Sequence, residues 1–512
     1  MKNNEENLMS SVSVQQSKTE GYLKKIAKNA GITAAGNVIG FISSPISGII
    51  TTRALGAEFY GIYTLATYWT NLLSEISRVG LGGTTIRFVA AYKGEGRLDK
   101  AKGVILLSLK TGLIIGSLFT IFMILFPEPF CSLVIKRPDA ASAFRFFSFN
   151  ILLTAIYGTF IAGLTGFQEQ RYVVLANSVF GDLVKIGSLI LLLSFGLKLY
   201  GALASSLLQD IIILFLSGIF LLRVFPGLRK RTIVPVTEGK KLWKFSGTIF
   251  ATSLFRRYTF QLDLMFLGLF RSVTEVGLYA VALKLQPVIY MPHYAIMQIF
   301  GPIVAELYVR KDIQEIGSLY KTVTKWTASF SIPIFLTIVF FYDPILGIFG
   351  KEFHGAAASL LILSFGNIFH DILGISGQVI TMIGKPVVNL INSLITTVAI
   401  ILLFLLLIPQ HGIIGAAIAY TISNLFINTL QVIQVYSFLK IHPFKKTLWK
   451  VFCSAIASLI AVFLLQSVSS SDVAWFFQLI FLWVVYVFMM WLLKLDEEDI
   501  VVLRVLKHRI MR

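Results

Sequence analysis

The sequence is poor in charged residues. Of its 512 residues only 14% are Asp, Glu, Lys or Arg, whereas 56% are hydrophobic and the mean hydropathy is +0.79. Soluble domains carry about 25% charged residues, so this composition excludes an ordinary soluble protein. Nearly uncharged windows of about 20 residues, such as 104–126 and 391–408, are long enough to cross a bilayer as helix. Transmembrane β-strands would be short and alternating, which excludes a β-barrel.

Cysteine pairs, metal-ligand spacings and nucleotide-binding loops are also lacking. Cys131 and Cys453 are predicted near opposite membrane faces, so no disulfide framework is expected. The six histidines show no metal-ligand spacing, and no phosphate-cradling loop is present. We therefore expect no catalytic residue, no metal and no cofactor. Because the first residues contain no apolar signal-peptide core, we expect the N-terminal tail to stay in the cytoplasm.

Apolar windows bounded by glycine, proline and charge predict about fourteen membrane-spanning helices. They lie at 30–52, 59–83, 103–126, 141–166, 172–195, 200–223, 244–268, 276–299, 323–346, 356–383, 387–408, 413–438, 449–468 and 473–493. With the N-terminus inside, about 32 Lys and Arg face the cytoplasm and about 7 face outward, as the positive-inside rule requires. This bias accounts for most of the net charge of +19, so no nucleic-acid partner is expected.

The chain repeats itself at an offset of about 216 residues. The phrase GAEFYGIYTLA at 56–66 returns as VTEVGLYAVA at 273–282, so that Gly61 matches Gly277, and further matches keep nearly the same offset. Six predicted spans repeat as six, which predicts two bundles related by a pseudo-two-fold axis along the membrane normal. Within the phrase we expect the glycine to form a tight turn and the tyrosine to lie at the membrane interface.

These observations predict an all-α integral membrane protein of two six-helix bundles and two additional helices. The segments are a cytoplasmic N-terminal tail at 1–28, an N-terminal bundle at 29–225, a cytoplasmic linker at 226–243, a C-terminal bundle at 244–440, two additional helices at 441–495 and a cytoplasmic C-terminal tail at 496–512.

Two stretches resemble the oligosaccharide flippases of the MOP superfamily, in the branch of Wzx-type and related polysaccharide biosynthesis proteins. They are TTRALGAEFYGIYTLA through ISRVGLGGTTIRFVAAYKGEGRLDKAKG (Thr51–Gly103) and GLYAVALKL (Gly277–Leu285), and the architecture is similar over nearly the whole chain. The resemblance implies an alternating-access carrier in the cytoplasmic membrane. Its cargo would be a polyprenyl-(pyro)phosphate-linked oligosaccharide repeat unit for cell-surface polysaccharide. Expected partners are this lipid-linked substrate, membrane lipids, and a polysaccharide polymerase or glycosyltransferases of the same pathway.

Cations deep in the predicted spans are candidate ligands for an anionic head group, because buried charges usually line a cavity or pair with each other. Arg256 and Arg257 lie about 18 Å along the seventh span, and Lys284 lies about 12 Å from the outer end of the eighth. Arg and Lys suit phosphate oxygens, although internal salt bridges are an alternative. Arg78 and Arg87 are predicted either to receive the head group at the cytoplasmic side or to anchor the inner face.

Six further ionisable residues are predicted to act in coupling or charge pairing: Asp182, Lys185, Asp210, Asp263, His370 and Asp371. Asp182 and Lys185 lie three apart on one helix and would neutralise each other. Asp210 would meet a basic residue of a neighbouring helix or carry a proton, and Asp263 would meet one of the two arginines. His370 and Asp371 would relay protons or form a buried hydrogen-bonded pair.

Other functions remain open at this point. A lipid II flippase would need the same cations for its pyrophosphate. A multidrug exporter of the same fold would need an acidic and aromatic lining for organic cations, which the deep arginines and lysine oppose. A membrane-embedded polysaccharide polymerase would be expected to show a substantial loop or a cluster of acid–base residues, and the longest loops are about twenty residues. A scaffold without transport would not need deep charges.

Overall fold

The computed structural model describes residues 2–230, 232–258, 261–468, 475–494, 496 and 499, without the side chains of 2–31, 34, 35, 37, 251–258, 295, 298, 299 and 468. Every regular element in these ranges is helical, and no strand occurs in them. Helices satisfy all their backbone hydrogen bonds within one segment, which a hydrocarbon environment requires. The predicted all-α membrane class is confirmed.

Ten helices of the described chain are long and apolar enough to cross a membrane. Two of them, Val38–Ser77 and Pro386–Leu439, have 40 and 54 residues, which is enough for two crossings each. Both are interrupted by a glycine with positive φ, Gly56 at 73° and Gly412 at 56°, where an L side chain would be strained. The predicted windows 244–268 and 276–299 also lie on helix.

The described residues divide into two compact units. Unit 1 contains Met1–Leu55 and Ile62–Leu254, and unit 2 contains Gly56–Gly61 and Phe255–Arg512. The helices of unit 1 are α1 (Lys2–Ser77), α2 (Leu81–Gly94), α3 (Leu98–Leu125), α4 (Pro127–Phe130), α5 (Ala141–Phe147), α6 (Phe149–Gly166), α7 (Gln170–Val174), α8 (Asp182–Ser194), α9 (Lys198–Val224) and α10 (Gly239–Tyr258), whose last residues fall in unit 2. A π-helical segment, Leu175–Gly181, joins α7 to α8.

Unit 2 is built from eight further helices in the described chain. They are α11 (Leu262–Phe270), α12 (Val273–Val309), α13 (Ile313–Phe349), α14 (Ala357–Leu373), α15 (Ile375–Met382), α16 (Pro386–Leu439), α17 (Leu448–Val468) and α18 (Trp475–Leu492). Sequence signals explain two of the starts: Ser272 caps α12 and Asp312 caps α13, each accepting the backbone N–H of a glutamate three residues later.

Small residues set the closest helix contacts in unit 1. A Cβ at Gly112 or Gly116 of α3 would touch Ala155 of α6 at about van der Waals distance. Apolar side chains such as Leu118 and Leu125 are instead more than 60% exposed. This pattern fits helices in lipid, where large apolar residues gain nothing by leaving the hydrocarbon and association depends on close packing.

The predicted linker at 226–243 is held against the end of α2 and the start of α3. Glu238 accepts hydrogen bonds from Lys100, from the Tyr92 hydroxyl at 2.8 Å and from Lys241 at 3.1 Å. Hydrogen bonds from Lys100, Tyr92 and Lys241 lower the pKa of Glu238 to about 2, while burial and this carboxylate raise the pKa of Tyr92 to about 12. The linker is therefore part of unit 1.

The two additional helices are anchored to α13 by a buried ionic cluster. Lys325 is 2% exposed and donates to Asp496 at 2.7 Å and to Asp499 at 2.5 Å, while Lys450 at the start of α17 donates to Asp496 at 2.7 Å. Trp326 donates its indole N–H to Asp499 at 2.7 Å. Although burial opposes it, hydrogen bonds from the two lysines lower the pKa of Asp496.

The expectation for the repeated phrase is wrong in its details. Gly61 and Gly277 lie inside helices and are buried, and the turn-forming glycine is Gly56. Tyr279 is fully buried rather than at an interface. The reason is tertiary: these positions face other helices of the protein, which the sequence pattern alone does not reveal.

Candidate functional site

The carboxylates of Asp182 and Asp210 in unit 1 are bound by neutral side chains of other helices. Asp182 accepts hydrogen bonds from Ser43 of α1 and from Gln209 of α9, the latter at 3.0 Å. Asp210 is 7% exposed and accepts a hydrogen bond from Asn150 of α6. Among the described residues no ion pair within 4 Å joins Asp182 to Lys185, so the geometry does not support their mutual neutralisation. Lys185 interacts electrostatically with Asp210 instead.

Arg78 lies at the break between α1 and α2 and faces the interior of unit 1. It pairs with Glu75, and their side chains are 19% and 15% exposed. A Cβ on Gly158 of α6 would lie 2.6 Å from Nη1 of Arg78, so a side chain at this position would force the guanidinium to move. The Nε atom of Arg78 is buried without a hydrogen-bond partner in the described part of the chain. A partly desolvated guanidinium with a spare donor is suited to an anion.

Arg87 occupies a different environment on α2. It is exposed, and its guanidinium carbon lies 4.4 Å from the ring centroid of Phe245 and 5.9 Å from that of Phe88. Cation–π contacts at such an exposed site are modest, on the order of 0.5–1 kcal/mol. This geometry favours the anchor interpretation for Arg87 and the head-group interpretation for Arg78.

Asp263 in unit 2 is fully buried on α11. Its carboxylate accepts the backbone N–H of Leu264 at 2.8 Å and the hydroxyl of Tyr279 at 3.0 Å. Both oxygens are therefore bound by neutral donors. Arg256 and Arg257, the predicted partners, lie in α10 with side chains outside the described residues, so their pairing stays a prediction.

His370 and Asp371 face different neighbours in unit 2, because consecutive helical residues point about 100° apart. Asp371 is fully buried and accepts a hydrogen bond from Ser331 at 2.6 Å, and its second oxygen has no partner in the described residues. The ring of His370 lies 5.2 Å from that of His293, whose Nδ1 is 3.4 Å from the Asp371 carbonyl oxygen. His293 thus joins the two predicted residues.

Lys284 on α12 points at an aromatic ring. Its ammonium lies 5.9 Å from the ring centroid of Tyr60, within the range of a cation–π contact. Lys284 and Tyr60 both belong to unit 2.

Sequence reasoning missed several of these polar residues. His293 lies inside a predicted span, where an ionisable residue is itself a signal of function. Tyr279 was marked in the sequence only by its place in the repeated phrase. Nothing in the sequence marked the neutral residues Gln286 and Asn367, which are hydrogen-bonded to each other.

In the part of the chain that the structure describes, no group of three His, Cys, Asp or Glu could hold a metal ion. What the two units offer is protonatable carboxylates and imidazoles, and cations suited to an anion.

Comparison with known proteins gives matches across most of the chain. The model of the family described as polysaccharide biosynthesis protein matches residues 26–308, and the model described as MatE matches residues 249–406. An uncharacterised membrane protein of Methanocaldococcus jannaschii is 24% identical over 449 residues, covering 83% of this chain and 87% of the relative.

Two relatives carry more informative names. The probable low-salt glycan biosynthesis flippase Agl15 of Haloferax volcanii is 26% identical over 257 residues, covering 50% of this chain and 53% of the relative. The capsular polysaccharide biosynthesis protein CapF of Staphylococcus aureus is 30% identical over 194 residues, covering 37% of this chain and 43% of the relative.

Solved structures show the fold. The lipid II flippase MurJ, in an inward closed conformation, aligns with a TM-score of 0.71 and 16% identity over 89% of this chain and 98% of MurJ. An inward-facing multidrug resistance MATE family transporter of the MOP superfamily aligns with a TM-score of 0.59 and 16% identity over 78% of this chain and 94% of the transporter. With a family model matching more than half of its residues, the chain belongs to the polysaccharide biosynthesis protein family.

Proposed function

We propose that this protein flips polyprenyl-(pyro)phosphate-linked oligosaccharide repeat units from the cytoplasmic to the outer leaflet of the cell membrane by alternating access. The observation that carries the proposal is the family match across residues 26–308. The relatives named for glycan and capsular polysaccharide biosynthesis support the same cargo class. The flipped repeat units would be consumed outside by a polysaccharide polymerase or glycosyltransferases.

The cargo has three parts with different needs. The polyprenyl tail is apolar and would stay in the bilayer, whereas the sugars and the (pyro)phosphate need a hydrated path because unpaired polar groups are costly in hydrocarbon. We assign the anionic head group to Arg256, Arg257, Lys284 and Arg78. Arg78 is the best supported of these by its surroundings, since its guanidinium is partly buried and has an unused donor in the described chain.

Energy would come from an ion gradient or from consumption of the product outside, because the sequence lacks a phosphate-cradling loop for ATP. We assign coupling to the buried carboxylates, of which Asp371 is the strongest candidate. It has one carboxylate oxygen without a partner in the described residues, and the ring of His293 contacts its backbone carbonyl oxygen. A carboxyl in such a place changes its charge by taking up or releasing a proton when water reaches it.

The test is reconstitution in proteoliposomes of the wild type, of Arg256→Ala/Arg257→Ala, and of Arg229→Ala/Lys230→Ala as a matched control. The control also removes two adjacent cations, but from the exposed linker. We expect the wild type and the control to flip a lipid-pyrophosphate-linked oligosaccharide and the first variant to lose this activity while keeping its thermal stability.

Three results would contradict the proposal in different ways. Flipping of lipid II but of no other lipid-linked oligosaccharide would narrow the cargo to the peptidoglycan precursor. Extrusion of a cationic dye without lipid flipping would replace the proposal by a multidrug exporter. Equal loss in the linker control would remove the two arginines from the site.

A further inference from the structure

The two copies of the repeated phrase contact each other inside unit 2. The short segment Gly56–Gly61 belongs to unit 2, although the chain on both sides of it belongs to unit 1. This segment crosses the first turns of α12. A Cβ at Gly61 would collide with the carbonyl oxygen of Val273, and a Cβ at Gly277 would collide with the carbonyl oxygen of Ala57. Both glycines are buried.

The contact is reciprocal and follows the repeat. Gly61 and Gly277 are 216 residues apart, and so are Ala57 and Val273, the residues whose carbonyl oxygens they approach. Each glycine thus meets the backbone one turn before its own counterpart. No other residue type permits this approach, in which backbones touch through van der Waals and Cα–H···O contacts. The repetition of the phrase therefore has a physical reason: both copies are needed for one crossing.

The crossing also positions Tyr60. This side chain is 2% exposed, its ring edge lies against Phe353 at 6.1 Å, and its face lies 5.9 Å from the ammonium of Lys284. Tyr60 directly precedes Gly61, so any separation at the glycines moves the ring away from Lys284. At the offset of 216 residues, Tyr60 corresponds to Val276 of α12. The aromatic contact with a lysine is therefore not repeated in the second copy of the phrase.

We propose that the Gly61–Gly277 crossing is the closing contact at the end of the carrier that the charge bias predicts to face outward, and that Tyr60 covers Lys284 while this end is closed. The second part rests on the proposed function, in which Lys284 binds the head group. A glycine crossing suits a closure that must open repeatedly. It excludes water by close packing, yet the contacts between the two glycines that opening breaks are weak van der Waals and Cα–H···O contacts.

Cysteine accessibility tests the closure without any cargo. In a Cys131→Ala/Cys453→Ser background, Val281→Cys reports from a fully buried site one turn inward of Gly277, and Thr274→Cys reports from an exposed site on the same helix. With the glycines intact, we expect a membrane-impermeant maleimide added outside to label Thr274→Cys at least about tenfold faster than Val281→Cys. Equal rates would overturn the closure even if no glycine variant folds.

Alanine substitution then tests the glycines themselves. Gly61→Ala or Gly277→Ala should speed the labelling of Val281→Cys about tenfold. Gly187→Ala is the matched control, because nothing lies within 4 Å of a Cβ at that position. Folded glycine variants that label at the wild-type rate would show that the crossing does not close the outer end.

Binding of inorganic pyrophosphate tests the role of Tyr60 as a positioning residue. Tyr60→Leu removes the ring face and should strengthen binding about fivefold, while Tyr60→Phe keeps the face and should bind as the wild type does. Unchanged binding in Tyr60→Leu would overturn the masking of Lys284. If the wild type binds no pyrophosphate while the labelling results hold, the head-group assignment fails and the closure stands.

Discussion

The buried acids of the two units differ in their partners. In unit 1, Asp182 and Asp210 are bound by the amides of Gln209 and Asn150, and a cation lies in the same neighbourhood. In unit 2, Asp263 and Asp371 are bound by hydroxyls, and no described residue forms an ion pair with either within 4 Å. The first arrangement places a cation near the carboxylates, whereas the second surrounds them, among the described residues, with neutral donors only.

The repeat makes this difference instructive. Asp263 corresponds to Ser47 at an offset of 216, and Asp210 corresponds to Asn424 at an offset of 214. These two deep acids thus correspond to a neutral polar residue at the matching position of the other half. The two halves share a helical framework but differ in electrostatics. Substitutions of matching chemistry should therefore have different consequences in the two units.

The largest effect is expected at the ionic cluster that anchors the additional helices. Lys325→Ala would remove the lysine that pairs with Asp499 and one of the lysines that pair with Asp496, and breaking a buried ion pair in this way typically costs about 3–5 kcal/mol. Lys100→Ala in unit 1 breaks a more exposed pair with Glu238, which solvent screens, so its effect should be much smaller. The free energy of unfolding in detergent, measured by denaturant titration, compares the two. Similar losses in both variants would contradict the contrast between the clusters.

The second prediction concerns coupling. Asp371→Asn keeps an acceptor for Ser331 but cannot be protonated, so it should slow flipping driven by a pH gradient on the order of 100-fold, or about 2.7 kcal/mol. Asp182→Asn in unit 1 should leave the rate within about threefold, a difference under about 0.7 kcal/mol. Transport into liposomes with and without the gradient is the measurement. A larger loss in Asp182→Asn would assign coupling to unit 1.

The third prediction addresses Arg78 without removing its charge. Gly158→Ala places a methyl group against the guanidinium and displaces it. If Arg78 binds the head group, KM for the lipid-linked substrate should rise about tenfold, or about 1.4 kcal/mol, with little change in kcat. Gly187→Ala is the control for helical glycine substitution in unit 1. An unchanged KM in a folded Gly158→Ala protein would leave Arg78 with a structural role only.

The smallest effect is expected at the linker. The pKa of Glu238 is lowered from its ordinary value of 4.5 to about 2 by Lys100, Tyr92 and Lys241. A lowered folded-state pKa adds stability above the unfolded value, and this contribution is lost as pH falls from about 4.5 toward 2. The Tm difference between wild type and Glu238→Gln should therefore be small and constant near pH 7 and should vanish by about pH 2. A difference that grows on acidification would refute this sign.

The span predictions succeeded because they depend on local properties. A helix that crosses hydrocarbon needs about 20 apolar residues wherever it lies in the fold, and each of the fourteen predicted windows lies mostly on helix in its described part. The helix starts at Ser272 and Asp312 are likewise local signals. Identification of the family from the phrase around residues 51–103 is confirmed by the family match.

The partners of individual charges could not be predicted in the same way. The spacing of Asp182 and Lys185 places them on one helix face. The carboxylate of Asp182 nevertheless accepts hydrogen bonds from Ser43 and Gln209 of other helices. Asp263 binds Tyr279 and not an arginine among the described residues, and His293 joins His370 across two helices. Each of these contacts depends on how helices are rotated about their axes, and apolar periodicity is a weak guide to rotation when lipid surrounds the bundle.

The sequence by itself determined the membrane environment, the all-helical class, the approximate positions of the spans, the duplication and the family, because hydropathy and repeat offset can be read along the chain without knowledge of the fold. Only the tertiary structure decided what the repeated glycines do. Their meaning depends on a backbone approach between residues 216 positions apart, and a glycine in a sequence signals equally a turn, a kink or a close contact. The packing of the neighbouring helix selects among these three.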